Sequence, residues 1–424
     1  MELTIEKIVY PGKSLARKDG QVFFLDEGLP GEIVQVMNVQ KKNNFSQATV
    51  FKIIQPSHNR ILPKCEHYKI CSPLQYIDYK EQLIIKTEQL ADIFKSFTTN
   101  PIAIEASPDS FGYRNKISLN LLWKSKRAFL AYNIRDTHNK FIDINNCFLV
   151  SDNLNAILKN TVQLINKHKH KEITGVILRE NSCGKAHLTI DLSSEKSLDK
   201  IKRTFTENTI PNLLGVVALL KKNDFIQSIN IHGANFITEN ILSNIFSIGP
   251  LSFFQINTAM IELVCKDITK NVSFKNSDTI FDLYCGVGTF GLIFSKQVKE
   301  VIGIESETAN TSFFIKNCKD NDIKNAKVVT SKSEDVCKQL KDMPSNIIIM
   351  DPPRSGVHKN ILKTLLDARH MTHDTQLIYL SCDPVTMARD LEILTQKYKI
   401  HFLKAYDFFP QTPHIETLCI LTRK

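Results

Sequence analysis

Short runs of β-branched and aromatic residues, broken by glycine and proline, open the chain. At its other end, strand-like and helical stretches alternate. In the first 56 residues the runs 34–39 and 48–54 are rich in β-branched side chains, and Gly12, Gly20, Gly28, Pro30 and Gly31 supply turns, a pattern that predicts a small β-barrel. Pro56 to Pro63 reads as a linker. Over 79–97 the apolar residues Leu83, Leu90, Ile93, Phe94 and Phe97 recur at helical spacing. Between 101 and 245 the signals are mixed. Strand-like runs at 117–123, 175–179 and 188–190 and a helix over 152–167 are expected, in an order that periodicity does not give.

From about residue 250 the pattern becomes regular. Strands are expected at 279–283, 298–304, 326–330, 346–350, 377–381, 400–406 and 417–421, with helices after the glycines at 286–291 and over 308–321, 360–369 and 385–398. Strands alternating with helices predict a parallel sheet covered on both faces, whose ligands bind at the carboxyl ends of its strands. The fold class expected is therefore α/β. Three domains follow: a β-barrel over 1–56, a mixed α+β central domain over 57–245, and a Rossmann-like catalytic domain over 246–424.

Composition narrows the class. The chain has 424 residues, 42% of them hydrophobic and 23% charged, which is ordinary globular composition and excludes general disorder. No uncharged apolar run reaches membrane-spanning length, and the start Met-Glu-Leu-Thr-Ile-Glu-Lys lacks the features of a signal peptide, so a cytoplasmic protein with no membrane partner is expected. The 54 Lys and Arg against 44 Asp and Glu give a net charge of +10, which favours a polyanionic partner. Lys13, Arg17, Lys18, Lys41 and Lys42 of the barrel could meet phosphates, or could simply be a solvated surface. Ten cysteines in such a chain argue for thiol or metal chemistry rather than a disulfide scaffold.

The chemistry-bearing residues fall at strand ends. Asp282-Leu-Tyr-Cys-Gly286-x-Gly288-x-x-Gly291 sets a glycine-rich turn between a strand and a helix, and glycines let the backbone approach a ligand closely. Glu305 lies 19 residues beyond Gly286, at the end of the next strand, where a carboxylate can accept from both ribose hydroxyls. Alone, this also fits a nicotinamide dinucleotide. Asp351-Pro-Pro-Arg354-x-Gly356 follows the apolar strand expected at 346–350, and Tyr379-Leu-Ser-Cys382-Asp-Pro384 the strand after it. Turn and helix amides beside Cys382 could favour its thiolate, although most cysteines are inert and buried. Asp407-Phe-Phe-Pro-Gln-Thr-Pro-His414-Ile-Glu416 brings a histidine and a second carboxylate before the last strand. A thiolate, a carboxylate and a methyl-donor site suggest one reaction. The thiolate adds to carbon 6 of a uracil, the resulting enolate takes a methyl group at carbon 5, and a base removes the carbon-5 proton. Cys382 would be the nucleophile and Glu416 the base; His414 either orients one of them or makes a structural hydrogen bond.

With these motifs the chain resembles the RNA uracil-5-methyltransferase family, which methylates 23S ribosomal RNA or transfer RNA with S-adenosylmethionine. The resemblance spans nearly the whole chain. It includes a TRAM-like (OB-like) barrel, Tyr113-Arg-Asn-Lys116, Phe254-Gln255-Ile-Asn257, and then each motif above in order. It implies that Gln255, Tyr284, Glu305 and Asp351 contact the donor, with Asp351 alternatively touching the base, and that Cys382 and Glu416 are nucleophile and proton acceptor. It also implies a flipped or unpaired uridine, held by the barrel and central domain. The barrel points to 23S ribosomal RNA as partner, with a transfer-RNA T-loop uridine as the alternative. A monomer is expected.

Many relatives hold a [4Fe–4S] cluster on cysteines spaced C-x5-C-x2-C with a fourth further on. Here Cys65, Cys71 and Cys147 match, but Leu74 stands in the third place and cannot ligate iron. The expectation is an absent or labile cluster, unless another ligand such as Cys183 substitutes. Thr289 and Asp383 stand where some relatives have Asn. Two rivals remain: a dinucleotide-dependent oxidoreductase, which leaves Asp351, Cys382 and Glu416 without roles, and an RNA-binding relative that has lost catalysis.

Overall fold

The computed structural model describes all 424 residues except 135–136, 138–139, 223–224, 337–345 and 368–373. Cys337 and the last two residues of the helix expected over 360–369 lie outside the described residues. The chain divides into two compact units. The first holds Met1–Ser110, Ser381–Leu391 and Leu403–Leu418; the second holds Phe111–Leu380, Glu392–Phe402 and Cys419–Lys424.

The first unit begins with the expected barrel. Strands β1 (Glu2–Val9), β2 (Lys13–Lys18), β3 (Gln21–Leu25), β4 (Ile33–Lys41) and β5 (Ser46–Gln55) close in the order β1-β2-β3-β5-β4, with β3 and β5 parallel. Alternation along each strand sends Leu3, Ile5, Ala16, Phe23, Leu25, Val34, Val36, Ala48 and Val50 inward as one apolar core. The linker is anchored to the barrel by buried Glu32. Its carboxylate accepts from Arg60 Nε and Nη2 at 2.7 Å each, and from the backbone amides of Leu29 and Ser57. Those bonds outweigh the effect of burial and lower the Glu32 pKa.

Helix α1 is the single turn Tyr68–Cys71, and α2 spans Tyr79–Phe94. Asp78 caps α2 by accepting from the amide of Lys80. Its buried face includes Ile85, Leu90 and Phe94 but also Gln82, Lys86 and Gln89, whereas Ile84 is exposed. The apolar spacing identified the helix without revealing these buried polar residues. Strand β6 (Ile104–Glu105) pairs in parallel with Ala405 and Tyr406.

In the second unit, the region that periodicity left unordered is a seven-stranded sheet. Its strands are β7 (Lys116–Lys124), β8 (Arg127–Asn133), β9 (Phe141–Asp143), β10 (Ile173–Glu180), β11 (Ala186–Leu192), β12 (Leu213–Lys222) and β13 (Phe225–Gly233), in the order β13-β12-β11-β10-β7-β8-β9. Only β11 and β12 run parallel, joined through helix α4 (Leu198–Glu207); helix α3 (Asp152–His168) packs on β8 and β10. Non-sequential neighbours of this kind carry no signal in local periodicity. The hairpin β14 (Ile237–Ile241) and β15 (Asn244–Ile248) leads to helix α5 (Thr258–Asn271).

The parallel sheet follows as expected. Strands β16 (Thr279–Leu283), β17 (Glu300–Glu305), β18 (Ala326–Thr330), β19 (Ile347–Met350) and β20 (Gln376–Ser381) run in the order β18-β17-β16-β19-β20. The chain starts at the central strand, winds to one side, and then returns to the other, so β16 and β19 flank a topological switch point. Helix α6 is short (Thr289–Ile293); α7 spans Thr308–Asp320 and α8 Lys359–Asp367. Helix α9 (Pro384–Leu394) and strands β21 (Tyr398–Tyr406) and β22 (Glu416–Arg423) end the chain. Among the described residues, no helix is long and apolar enough to cross a membrane.

Candidate active site

In the second unit the polar residues gather at the carboxyl ends of β16, β17 and β19. Tyr284 leaves β16 with φ +63°, a left-handed conformation rare for a bulky side chain, and Gly288 follows at φ +90°. A Cβ at Gly288 would lie 2.7 Å from side-chain atoms of both Leu292 and Phe314, so the turn excludes any larger residue there. Glu305 ends β17 and its carboxylate accepts from the amides of Gly286 at 2.9 Å and Glu307 at 2.8 Å. The turn and the candidate ribose-binding carboxylate are thus one hydrogen-bonded assembly. Buried Asp282 accepts from the Gly291 amide at 2.9 Å and so closes the other end of the turn. Burial pushes Asp282 up to about 7, with the charges of Asp351 and Glu305 acting in the same sense.

Asp351, just past β19, accepts from Gln255 Nε2 at 3.1 Å. Desolvation raises it to about 6, and the Gln255 bond offsets part of that shift. Asn115 in turn donates to the Gln255 carbonyl at 3.0 Å and to Thr258 Oγ1 at 3.1 Å, so the Tyr113–Lys116 motif supports the Gln255 segment from behind. The Tyr284 hydroxyl accepts from the His358 amide at 3.5 Å. Gln255, Tyr284, Glu305 and Asp351 therefore share one unit and one end of its sheet. The buried thiol of Cys285, on the same turn, is pushed far up by burial and by Asp282 and Glu305, which makes it an inert packing residue.

Lys116 sits close enough to Arg179 and Arg114 that their charges add to the effect of burial, lowering it to about 8. Arg114 and Lys116 are near neighbours in sequence, but only the pairing of β7 with β10 brings Arg179 to them.

Cys382 and Glu416 belong to the first unit. Cys382 is half-buried and follows the last residue of β20; Glu416 is buried and opens β22. The Thr417 hydroxyl donates to the Ser381 carbonyl at 3.1 Å, which ties the residue after Glu416 to the residue before Cys382. Asp383 caps helix α9: its Oδ1 accepts from the amides of Val385 at 3.0 Å and Thr386 at 3.2 Å. Those helix amides, expected to act on the thiol, are engaged by Asp383. An Asn at this position could cap the helix in the same way. The His414 ring meets Phe409 edge-on at 5.9 Å, and its amide donates to Thr412 Oγ1.

One place of the cysteine set holds Leu74, which cannot ligate iron. Cys65 and Cys71 lie in the first unit, where burial raises the Cys65 thiol. Leu74, in the third ligand place, is buried in an apolar cluster with Ile8, Leu29, Tyr76, Ile77 and Ile85. Cys147 lies in the second unit, its backbone amide and carbonyl both bonded to the Asn155 side chain, and Cys183 is exposed. A cubane needs a ligand at each iron, and among the described residues no group of three or more His, Cys, Asp or Glu could hold a metal.

Comparison with known proteins agrees with the motifs. A family model described as tRNA (uracil-5-)-methyltransferase matches residues 78–424. An uncharacterized RNA methyltransferase of Clostridium tetani is 30% identical over all of this chain and 97% of its own length. One from Synechocystis is 29% identical over 99% of this chain and 95% of its own. The fold is similar to that of the Pyrococcus abyssi tRNA (uracil-54, C5)-methyltransferase, solved in complex with S-adenosyl-L-homocysteine, over 100% of both chains, with a TM-score of 0.77 and 22% identity. With the family model covering most of its length and relatives matching from end to end, the chain belongs to the tRNA (uracil-5-)-methyltransferase family.

Proposed function

We propose that the protein transfers a methyl group from S-adenosylmethionine to carbon 5 of a uridine in 23S ribosomal RNA through a covalent Cys382–uracil adduct. The observation that carries this reading is the tie between Thr417 and Ser381, which joins the segments bearing a half-buried thiol and a buried carboxylate. The Cys382 thiolate adds to carbon 6, and the ring electrons pass to the carbonyl as an enolate. The enolate carbon 5 then takes the methyl group, releasing S-adenosylhomocysteine. Glu416 accepts the carbon-5 proton, the C–H electrons re-form the 5,6 double bond, and the C6–S bond breaks to regenerate the thiolate.

On the donor side, Glu305 would receive the ribose hydroxyls, Tyr284 and the Gly286–Gly288 backbone would flank the adenosine, and Gln255 with Asp351 would face the donor's cationic end. An ionised Asp351 attracts a sulfonium or ammonium, which is a function for a carboxylate otherwise destabilised by its surroundings. The uridine must leave its stack to reach Cys382. Lys116 and Arg114, together with Lys13 and the exposed Lys41 and Lys42 of the barrel, supply charge for the surrounding phosphates.

A second reading, the T-loop uridine of transfer RNA, is favoured by the family description and by a tRNA methyltransferase similar in fold along its full length. RNA tritiated at carbon 5 of uridine tests both. Donor-dependent tritium release from 23S transcripts supports the first reading, and release from transfer RNA alone selects the second. Absence of release from either by folded, donor-bound protein contradicts the chemistry.

A further inference from the structure

Helix α2 buries polar side chains where an amphipathic helix would bury apolar ones, and two of them reach the segment that leads into Glu416. Lys86 Nζ lies 2.6 Å from Asp407 Oδ1, with both side chains fully buried. The second carboxylate oxygen of Asp407 has no hydrogen-bond partner among the described residues. One turn earlier, Gln82 grips Gln411 from both sides: its Nε2 donates to Gln411 Oε1 at 2.9 Å, and its Oε1 accepts from the Gln411 amide at 3.0 Å. The Leu74 amide donates to the Gln411 carbonyl at 3.0 Å, and Gln411 itself is held at φ +68°. At Gly12, an added Cβ would approach Pro413 to 2.8 Å, so the barrel packs closely against this loop.

A buried ammonium–carboxylate pair adds little net stability, because desolvating both ions offsets their attraction. Apolar side chains of similar size would pack helix against loop at least as firmly. They would not define one register, which directional bonds at two points along 407–411 do. Resting on the assignment of Glu416 as the base, we propose that Lys86 and Gln82 are positioning residues for Glu416. Through Asp407 and Gln411 they hold the loop from which β22 starts, and so place the carboxylate at the carbon-5 proton of the methylated adduct. The step affected is elimination alone: proton to Glu416, C–H electrons to the 5,6 double bond, C6–S electrons back to Cys382. Addition and methyl transfer do not use Glu416. A misplacement of about 1 Å slows a proton transfer about a hundred-fold.

The test follows the protein–RNA adduct by denaturing gel after a single turnover, using the full-length protein and the RNA that supports methylation. Wild type, Glu416→Gln and the double variant Lys86→Met with Asp407→Leu are compared, the double change avoiding a stranded charge. The expected result is an adduct formed at the wild-type rate but resolved about ten- to a hundred-fold more slowly, with donor affinity and unfolding midpoint near wild type. Adduct decay at the wild-type rate overturns the proposal. If the double variant does not fold, Gln82→Met takes its place: slow decay supports the proposal and wild-type decay overturns it. Glu416→Gln separates the two levels. Normal product release from it removes the base assignment and this inference together; a stall there, with normal decay in the α2 variants, removes only the inference.

Discussion

Between Asp282 and Gly291 the donor-side turn is held by neighbours in sequence and by the next strand: Asp282 bonds Gly291, and Glu305 bonds Gly286. The loop from Asp407 to Glu416 is held by residues more than three hundred positions away, Lys86 and Gln82. Backbone conformation specifies the first region, whereas long-range polar contacts specify the second. A local turn tolerates changes elsewhere in the chain and fails when its own glycines change. The base loop should show the reverse sensitivity.

The largest expected effect comes from Cys382, the proposed nucleophile. Cys382→Ala should lower methylation by about 10⁴-fold or more while donor affinity, measured by calorimetry, stays within about two-fold, because a nucleophile acts after binding. Loss of donor binding would instead make Cys382 part of the donor site.

Next, Lys86→Met alone leaves Asp407 buried without its counter-ion and should destabilise the fold by about 3–5 kcal/mol in urea unfolding. The pair of changes with Asp407→Leu should recover most of that loss. A single variant as stable as wild type would show that the base loop does not depend on α2.

The motifs of both regions were legible in the sequence, but the contacts that hold the second were not. The glycines, Glu305 and Asp351 stand out because each sits in the turn that follows a recognisable strand or at the end of one. Lys86 does not: on a helix read for apolar periodicity it counts as a surface lysine, and only the fold brings it to Asp407. The order of the seven-stranded sheet was hidden for the same reason, since pairings such as β10 with β7 leave no local trace. At Cys382 the amides expected to act on the thiol prove to be bonded to Asp383.

A smaller effect is expected within the donor turn. Gly288→Ala places a Cβ against Leu292 and Phe314 at φ +90°, and should cost about 1–3 kcal/mol of stability with a matching loss of donor affinity. The rate of adduct resolution, measured with saturating donor, should be unchanged.

A graded effect, spread over about two pH units, concerns Asp351 in the first region. Asp351 ionises near 6 in the fold against an ordinary value of 3.8, so between those values the unfolded chain releases its proton first. Stability of the ligand-free protein should therefore fall as pH rises from 4 to 6. Donor affinity should rise through the same window, by up to about ten-fold per pH unit below 6, because the ionised carboxylate is the form that attracts a cation. Asp282 and Glu305 lie in the same field, and Asp351→Asn isolates the Asp351 share of both trends. Equal pH profiles in wild type and Asp351→Asn would place the donor's charge elsewhere.

The covalent Cys382–uracil intermediate is tested most directly by the intact mass of Glu416→Gln after incubation with a uridine-containing RNA and S-adenosylmethionine. A covalent species weighing protein plus RNA plus one methyl group in place of hydrogen is expected, absent when Cys382→Ala is added. A variant that turns over normally and yields no such species would contradict this intermediate.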